Sequence, residues 1–129
     1  MIDAFYNAAS ALSAYGQRQS ASAHNVANVN TNEFKSQRVD LAEKPTGGVT
    51  PTGVTTDTSP GAIRPSEFPE DKVVFSNDAM ALAGHVESSN TDLAREMVNS
   101  TVNSYSFSAN TGVVRTQDDM VGTILDIVS

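Results

Sequence analysis

Both ends of this chain carry helical periodicity and almost no charge, and no other feature constrains the fold as much. Across residues 1–32 the only charged side chains are Asp3 and Arg18. Phe5, Leu12, Gln19 and Val26 recur every seven residues, with Ala9, Gly16 and Ala23 between them in alternating steps of four and three. Heptad spacing places all of these on one helical face. An ordinary amphipathic helix turns Lys and Glu toward water. Here the rest of the surface is Ala, Ser, Asn and Gln, small neutral groups that suit close approach by other chains.

The C-terminal stretch repeats the theme. Val98, Val102, Tyr105, Ala109, Gly112, Thr116, Met120, Ile124 and Ile127 fall on one helical stripe, with Met97 beside it as a further packing residue. Residues 97–114 are eighteen positions without a charge, yet hold too much Asn, Ser and Thr to cross a membrane. Asn90 or Thr91 is placed to cap this helix, with Asp92 and Glu96 near the positive end of its dipole. Gly112 inside the helix costs about 1 kcal/mol relative to Ala, which a close contact there would offset.

The middle differs. Four of the five prolines lie within residues 49–72, which excludes a helix there. Residues 34–42, 53–58 and 72–77 have the composition of short strands. The expected plan is an N-terminal helix over 1–32, a small Pro/Gly-rich β region over 33–89 and a C-terminal helix over 90–129. The fold class is α+β, with the end helices packing as a coiled-coil-like stalk. Pairing of their two apolar stripes would build that stalk.

Composition narrows the function. The 129 residues fit one domain, but with 39% apolar and 6% aromatic side chains and no Trp the core is thin. Part of the stability then has to come from neighbours. A net charge of −7 argues against nucleic acid, whose phosphates need a basic surface. Without cysteine there is no disulfide framework. The N-terminus shows neither the basic nor the long apolar region of a cleaved signal peptide, so export is expected by another route.

No catalytic, cofactor or metal residue is expected. There is no phosphate-binding loop, dinucleotide fingerprint or nucleophile elbow. His24 and His85 have no evident catalytic partner and read as structural. Asp118 and Asp119, adjacent in a helix, point about 100° apart and do not form a glycosidase pair. The acidic stretch at 67–72 lacks the ligand spacing of a calcium loop. No small-molecule substrate is implied.

The joint between the first helix and the β region is unusual. Asn25, Asn28, Asn30 and Asn32 fall within eight residues, just before Phe34 and Lys35. Asn side chains bond backbone groups freed at a helix end. The run "ANVNTNEFK", residues 27–35, resembles the ANxNTxGFK signature of the axial proteins of the bacterial flagellum, the rod and hook subunits. The far end agrees. "SNTDLAREMVN" (89–99) resembles the family's NVDLxxEMVN, "FSAN" (107–110) sits where the family has YEAN, and "TQDDM" (116–120) resembles TxDEM. "GVTTDTSPG" (53–61) resembles the short central stretch of these proteins. The likeness spans roughly the whole chain.

Hook and distal-rod subunits carry a large β domain between their helices, for which this chain has no room. "GHVESSNTDLAREMVN" (84–99) is most similar to the proximal-rod class of FlgC type, with the other short proximal-rod class as runner-up. The resemblance implies a structural subunit that self-assembles with other rod proteins and transmits torque. Further implied partners are membrane-ring and export-gate components. It also implies export in unfolded form by the flagellar type III apparatus and a place in the periplasmic basal body. The joint residues under this reading are Ala27, Asn28, Asn30, Thr31, Asn32, Phe34 and Lys35.

Three departures stand out. Glu33 occupies the position of the family's Gly, so the left-handed residue of the joint is expected at Asn30 or Asn32 instead. Tyr105 and Ser108 replace the Arg and Glu of the family's RAYEAN, removing inter-subunit salt bridges expected there. The competing reading from another class is a soluble coiled-coil adaptor or chaperone-like module that binds one partner helix. A small hydrolase is more remote.

Overall fold

A computed structural model describes residues 2–65 and 85–128. Its elements in chain order are helix α1 (Ile2–Ala27), strands β1 (Gln37–Glu43), β2 (Val49–Thr56), β3 (Ile63–Pro65) and β4 (His85–Glu87), and helix α2 (Leu93–Val128). The plan is α+β as expected, with a long helix at each end and small sheets between. The strand expected at 72–77 lies outside the described residues.

Alanine-rich sequence favours α1, and the asparagines end it. At Ala27 the Asn28 side chain donates to the His24 carbonyl at 2.9 Å, and the Asn28 backbone N–H also bonds that carbonyl, at 3.2 Å. The helix therefore stops five residues before the expected position 32. Thr31 then closes a turn onto the Asn28 carbonyl at 3.0 Å.

β1 and β2 form an antiparallel hairpin, with a bulge between Asp40 and Leu41. They run over residues 37–43 and 49–56, where 34–42 and 53–58 were expected. The hairpin tip turns through Gly47 and Gly48, both at positive φ, and docks on α1. The Val49 N–H donates to Ser10 Oγ at 3.2 Å, and any Cβ on Gly48 would strike that same oxygen. β3 and β4 pair in a second, shorter antiparallel sheet that the proline-rich composition did not disclose.

The two helices pack antiparallel, as Gln19 meeting Ser100 at 2.7 Å and Asn25 meeting Glu96 at 2.9 Å require. They do not pair through their apolar stripes. The buried positions of α1 are Ala8, Ala11, Ala14, Ser22 and Asn25, and all but Ala14 lie one residue behind the Phe5–Val26 heptad and so about 100° around the helix. On α2 the buried or half-buried positions are Glu96, Ser100, Asn103, Ser106, Asn110, Thr111, Val114 and Gln117. The physical reason is the size of these groups. Alanines let the helix axes approach closely, and the polar groups find partners across the seam. With Val39 as the one other buried apolar residue among the described residues, the core they form is small and largely polar.

Candidate assembly surface and the clasp that presents it

Asn25 is the centre of the molecule and is fully buried. Its amide engages β1 from both sides, donating to the Gln37 carbonyl at 2.6 Å and accepting from the Gln37 N–H at 2.8 Å. A helix side chain thus acts as the neighbouring strand to the start of β1. Arg18 adds a weaker bond to the Val39 carbonyl at 3.4 Å. The same Asn25 amide donates to Glu96 Oε1, and Ser22 Oγ donates to Glu96 Oε2. Glu96, expected only to favour the dipole of α2, is a buried carboxylate satisfied by two groups from α1.

A second clasp lies beside it. Asn90 does not cap α2. Asp92 does, accepting from the Arg95 N–H at 3.1 Å. Asn90 instead accepts from the Ser36 N–H at 2.7 Å and donates to the carbonyls of Asp57 and Ser59 at 2.9 and 3.0 Å. It ties the lead into β1, the end of β2 and the entry to α2 together. Between the two clasps lies a polar crevice of about 620 Å3 whose walls include Arg18, Arg38, Arg95 and Asp57.

The joint resolves the expectation about Asn30 and Asn32. Among the described residues the non-glycine at positive φ is Glu33, at 59°. The left-handed turn is thus made at the position itself, despite the missing Gly. Backbone bonds hold it there. The Glu33 N–H donates to the Glu87 carbonyl at 2.9 Å, and the Asn90 N–H donates to the Phe34 carbonyl at 3.2 Å. Asn32 serves as an acceptor for Arg64 at 2.9 Å. Phe34 is half-buried and packs edge-on against His24, with ring centroids 5.3 Å apart, so His24 has a structural contact. Lys35 bonds Glu87 at 2.5 Å and the Ser59 carbonyl at 3.0 Å. The Lys35 ammonium and the Gly61 N–H hold the Glu87 carboxyl below the usual carboxylate range. The Ser59 N–H does the same for Asp57, and the Thr55 hydroxyl for Asp40.

The residues singled out for packing lie almost entirely outside this framework. Phe5, Gly16, Ala23 and Val26 on α1 are exposed, while Ala9 and Leu12 are half-buried. On α2, Met97, Val98, Val102, Tyr105, Ala109, Gly112, Met120 and Ile124 are all exposed, Tyr105 at 74%. A Cβ at Gly16 or Gly112 would meet nothing within 4 Å, so neither glycine is explained by contact within the described chain. Of the joint residues, Ala27, Asn30, Thr31 and Asn32 are exposed, and Asn28, Phe34 and Lys35 are half-buried. Asn25 lies in the asparagine cluster and Glu96 in the stretch resembling NVDLxxEMVN, but neither pattern, nor the polarity of Ser22, discloses that these residues meet. Their meaning depends on partners more than seventy residues away.

The clasp residues Ser22, Asn25, Asn90 and Glu96 lie in stretches that match known families. The model described as "Flagella basal body rod protein" matches residues 5–35, which hold α1 and the joint. The model described as "Flagellar basal body rod FlgEFG protein C-terminal" matches residues 82–127, which hold β4 and α2. The chain belongs to the rod and hook axial proteins of the bacterial flagellum. It is a structural protein of the flagellar basal-body rod, a family whose members assemble with other axial proteins. Comparison with curated protein sequences gave no match. The β1–β2 hairpin falls between the two matched segments, so the family likeness resides in the helices and the joint.

Proposed function

We propose that this chain is a subunit of the proximal rod, of FlgC type, which copolymerises with other rod proteins and with itself and carries torque through packed helices. One observation carries the reading. The helices satisfy each other through alanines and a polar clasp, and this leaves the α2 stripe and much of the α1 stripe facing outward. Monomeric proteins rarely expose contiguous apolar area on this scale, and where they do it marks an interaction surface. The short segment between the helices supports the proximal class over the hook and distal rod. The chain is not an enzyme under this reading. Its export through the flagellar type III apparatus and its place in the periplasmic part of the basal body follow from the same assignment. Membrane-ring and export-gate components are further partners.

Deletion in the source bacterium tests it. Purified basal bodies should lack a rod beyond the membrane ring, and expression of the chain in trans should restore rods and motility. Complete rods in the deletion strain would contradict the reading, as would saturable one-to-one binding of the chain to a soluble partner helix.

A further inference from the structure

Three of the five arginines of this acidic chain come together in one place. Arg18 comes from α1, Arg38 from β1 and Arg95 from the first turn of α2, and all three line the polar crevice of about 620 Å3 between the clasps. Small-molecule sites have volumes of roughly 300–1,000 Å3. With a net charge of −7 the chain as a whole repels anions. Three cations gathered from three elements set the crevice apart from that average.

The crevice has carboxylates of its own, but they do not use up the arginines. Glu96 is buried and accepts from Ser22 and Asn25. Asp92 accepts from the Arg95 backbone N–H at 3.1 Å as the cap of α2. Asp57 accepts from the Ser59 N–H at 2.9 Å. The three arginines, by contrast, are exposed and lightly engaged. A guanidinium offers five N–H donors. Arg18 commits its Nε to the Val39 carbonyl at 3.4 Å, and Arg38 its Nε to Asp40 at 3.2 Å. The side chains of that second pair are 75% and 44% exposed, and an exposed pair is weak enough to be exchanged. The Arg95 guanidinium meets no acceptor among the described residues. The terminal nitrogens of all three remain for an acceptor from outside, and such forks pair two-to-two with carboxylate and phosphate oxygens.

We propose that this crevice is a binding site for a small oxyanion with at least two acidic groups, a polycarboxylate or a phosphate ester, held by Arg18, Arg38 and Arg95. A single carboxylate has only two oxygens to share among three forks, so a second acidic group is required. Bound there, the ligand ties α1, β1 and α2 together beside the Asn25–Glu96 clasp and fixes the β region against the helices. The site lies within one copy of the chain and does not depend on the rod-subunit reading.

Isothermal titration of the full chain with citrate and with pyrophosphate, at constant ionic strength, tests the proposal and separates its two sources. At least one of the two should bind saturably and one to one, at least tenfold more tightly than acetate, and raise the urea midpoint. The tighter of the two names the source. Arg95→Gln should weaken that binding about tenfold, the usual scale for one lost charge-assisted hydrogen bond, without lowering the urea midpoint of the free chain. Arg18→Lys should weaken it as well, because it keeps the charge and removes the fork. Arg115→Gln, at an exposed position of α2 outside the crevice, should leave it unchanged. Failure of both anions to bind at about 10 mM overturns the proposal. So does binding that survives both crevice substitutions, or that falls equally in Arg115→Gln.

Discussion

Asn25 joins three elements with one amide, which makes it the least replaceable side chain in the described structure. Asn25→Ala removes a donor from Glu96 and strips both backbone groups of Gln37 of their partner. Each buried polar group left unsatisfied costs about 1–3 kcal/mol, more for a carboxylate. A loss of at least about 3 kcal/mol is therefore expected in urea unfolding, and an unchanged midpoint would refute the clasp. Glu33 gives the opposite case. Holding a non-glycine residue in the left-handed region costs about 1–2 kcal/mol, so Glu33→Gly should raise the urea midpoint, whereas Asn30→Val should leave it nearly unchanged. Equal effects at 30 and 33 would contradict the observed φ of 59° at Glu33. Sequence alone pointed to an Asn because Asn tolerates this conformation best among non-glycines. What decides the matter is tertiary: the Glu33 N–H is fixed on the Glu87 carbonyl.

The elements were legible where the pattern was local. Heptad spacing and the absence of charge disclose both end helices, and the prolines agree with the absence of helix among the described residues 49–65. The end of α1 was misplaced because Asn28 competes for the His24 carbonyl, an interaction that composition over 28–32 does not rank. The cap of α2 is Asp92 where Asn90 or Thr91 was expected, because Asn90 is committed to the lead into β1 and the end of β2 and the Thr91 hydroxyl meets Ser89. The short β3–β4 sheet was not legible, since each strand has three residues and its order depends on Lys35 and Glu87. That pairing makes the β region acid-sensitive. The Glu87 carboxyl is depressed in the folded chain, so its contribution is present above the ordinary carboxylate value, about 4.3, and is lost as pH falls through the lower folded value. Asp57 and Asp40 act with the same sign. Urea midpoints should fall on acidification below that range, and Glu87→Gln should flatten the fall. A midpoint that rises on acidification would contradict the assignment.

At the scale of the whole molecule the chain is built to be covered. Among the described residues its interior is alanine, Val39 and hydrogen-bonded polar groups, and most of its large apolar side chains are outside, Ile127 at 79% exposure. Helices gain most of their stability from tertiary packing, so the uncovered parts should be the least stable in isolation. Hydrogen exchange on the dilute chain should show residues 118–128 exchanging fastest within α2 and residues 96–110 slowest. Uniform protection along α2 would mean that residues 118–128 are stable without a partner. The most direct test is a side-chain-resolved electron-microscopy map of the basal body from the source bacterium. This chain should occupy the rod, with Val98, Val102 and Tyr105 buried against neighbouring subunits and the Asn25–Glu96 clasp intact within each copy. A rod complete without this chain, or one in which those three side chains face water, would contradict the account.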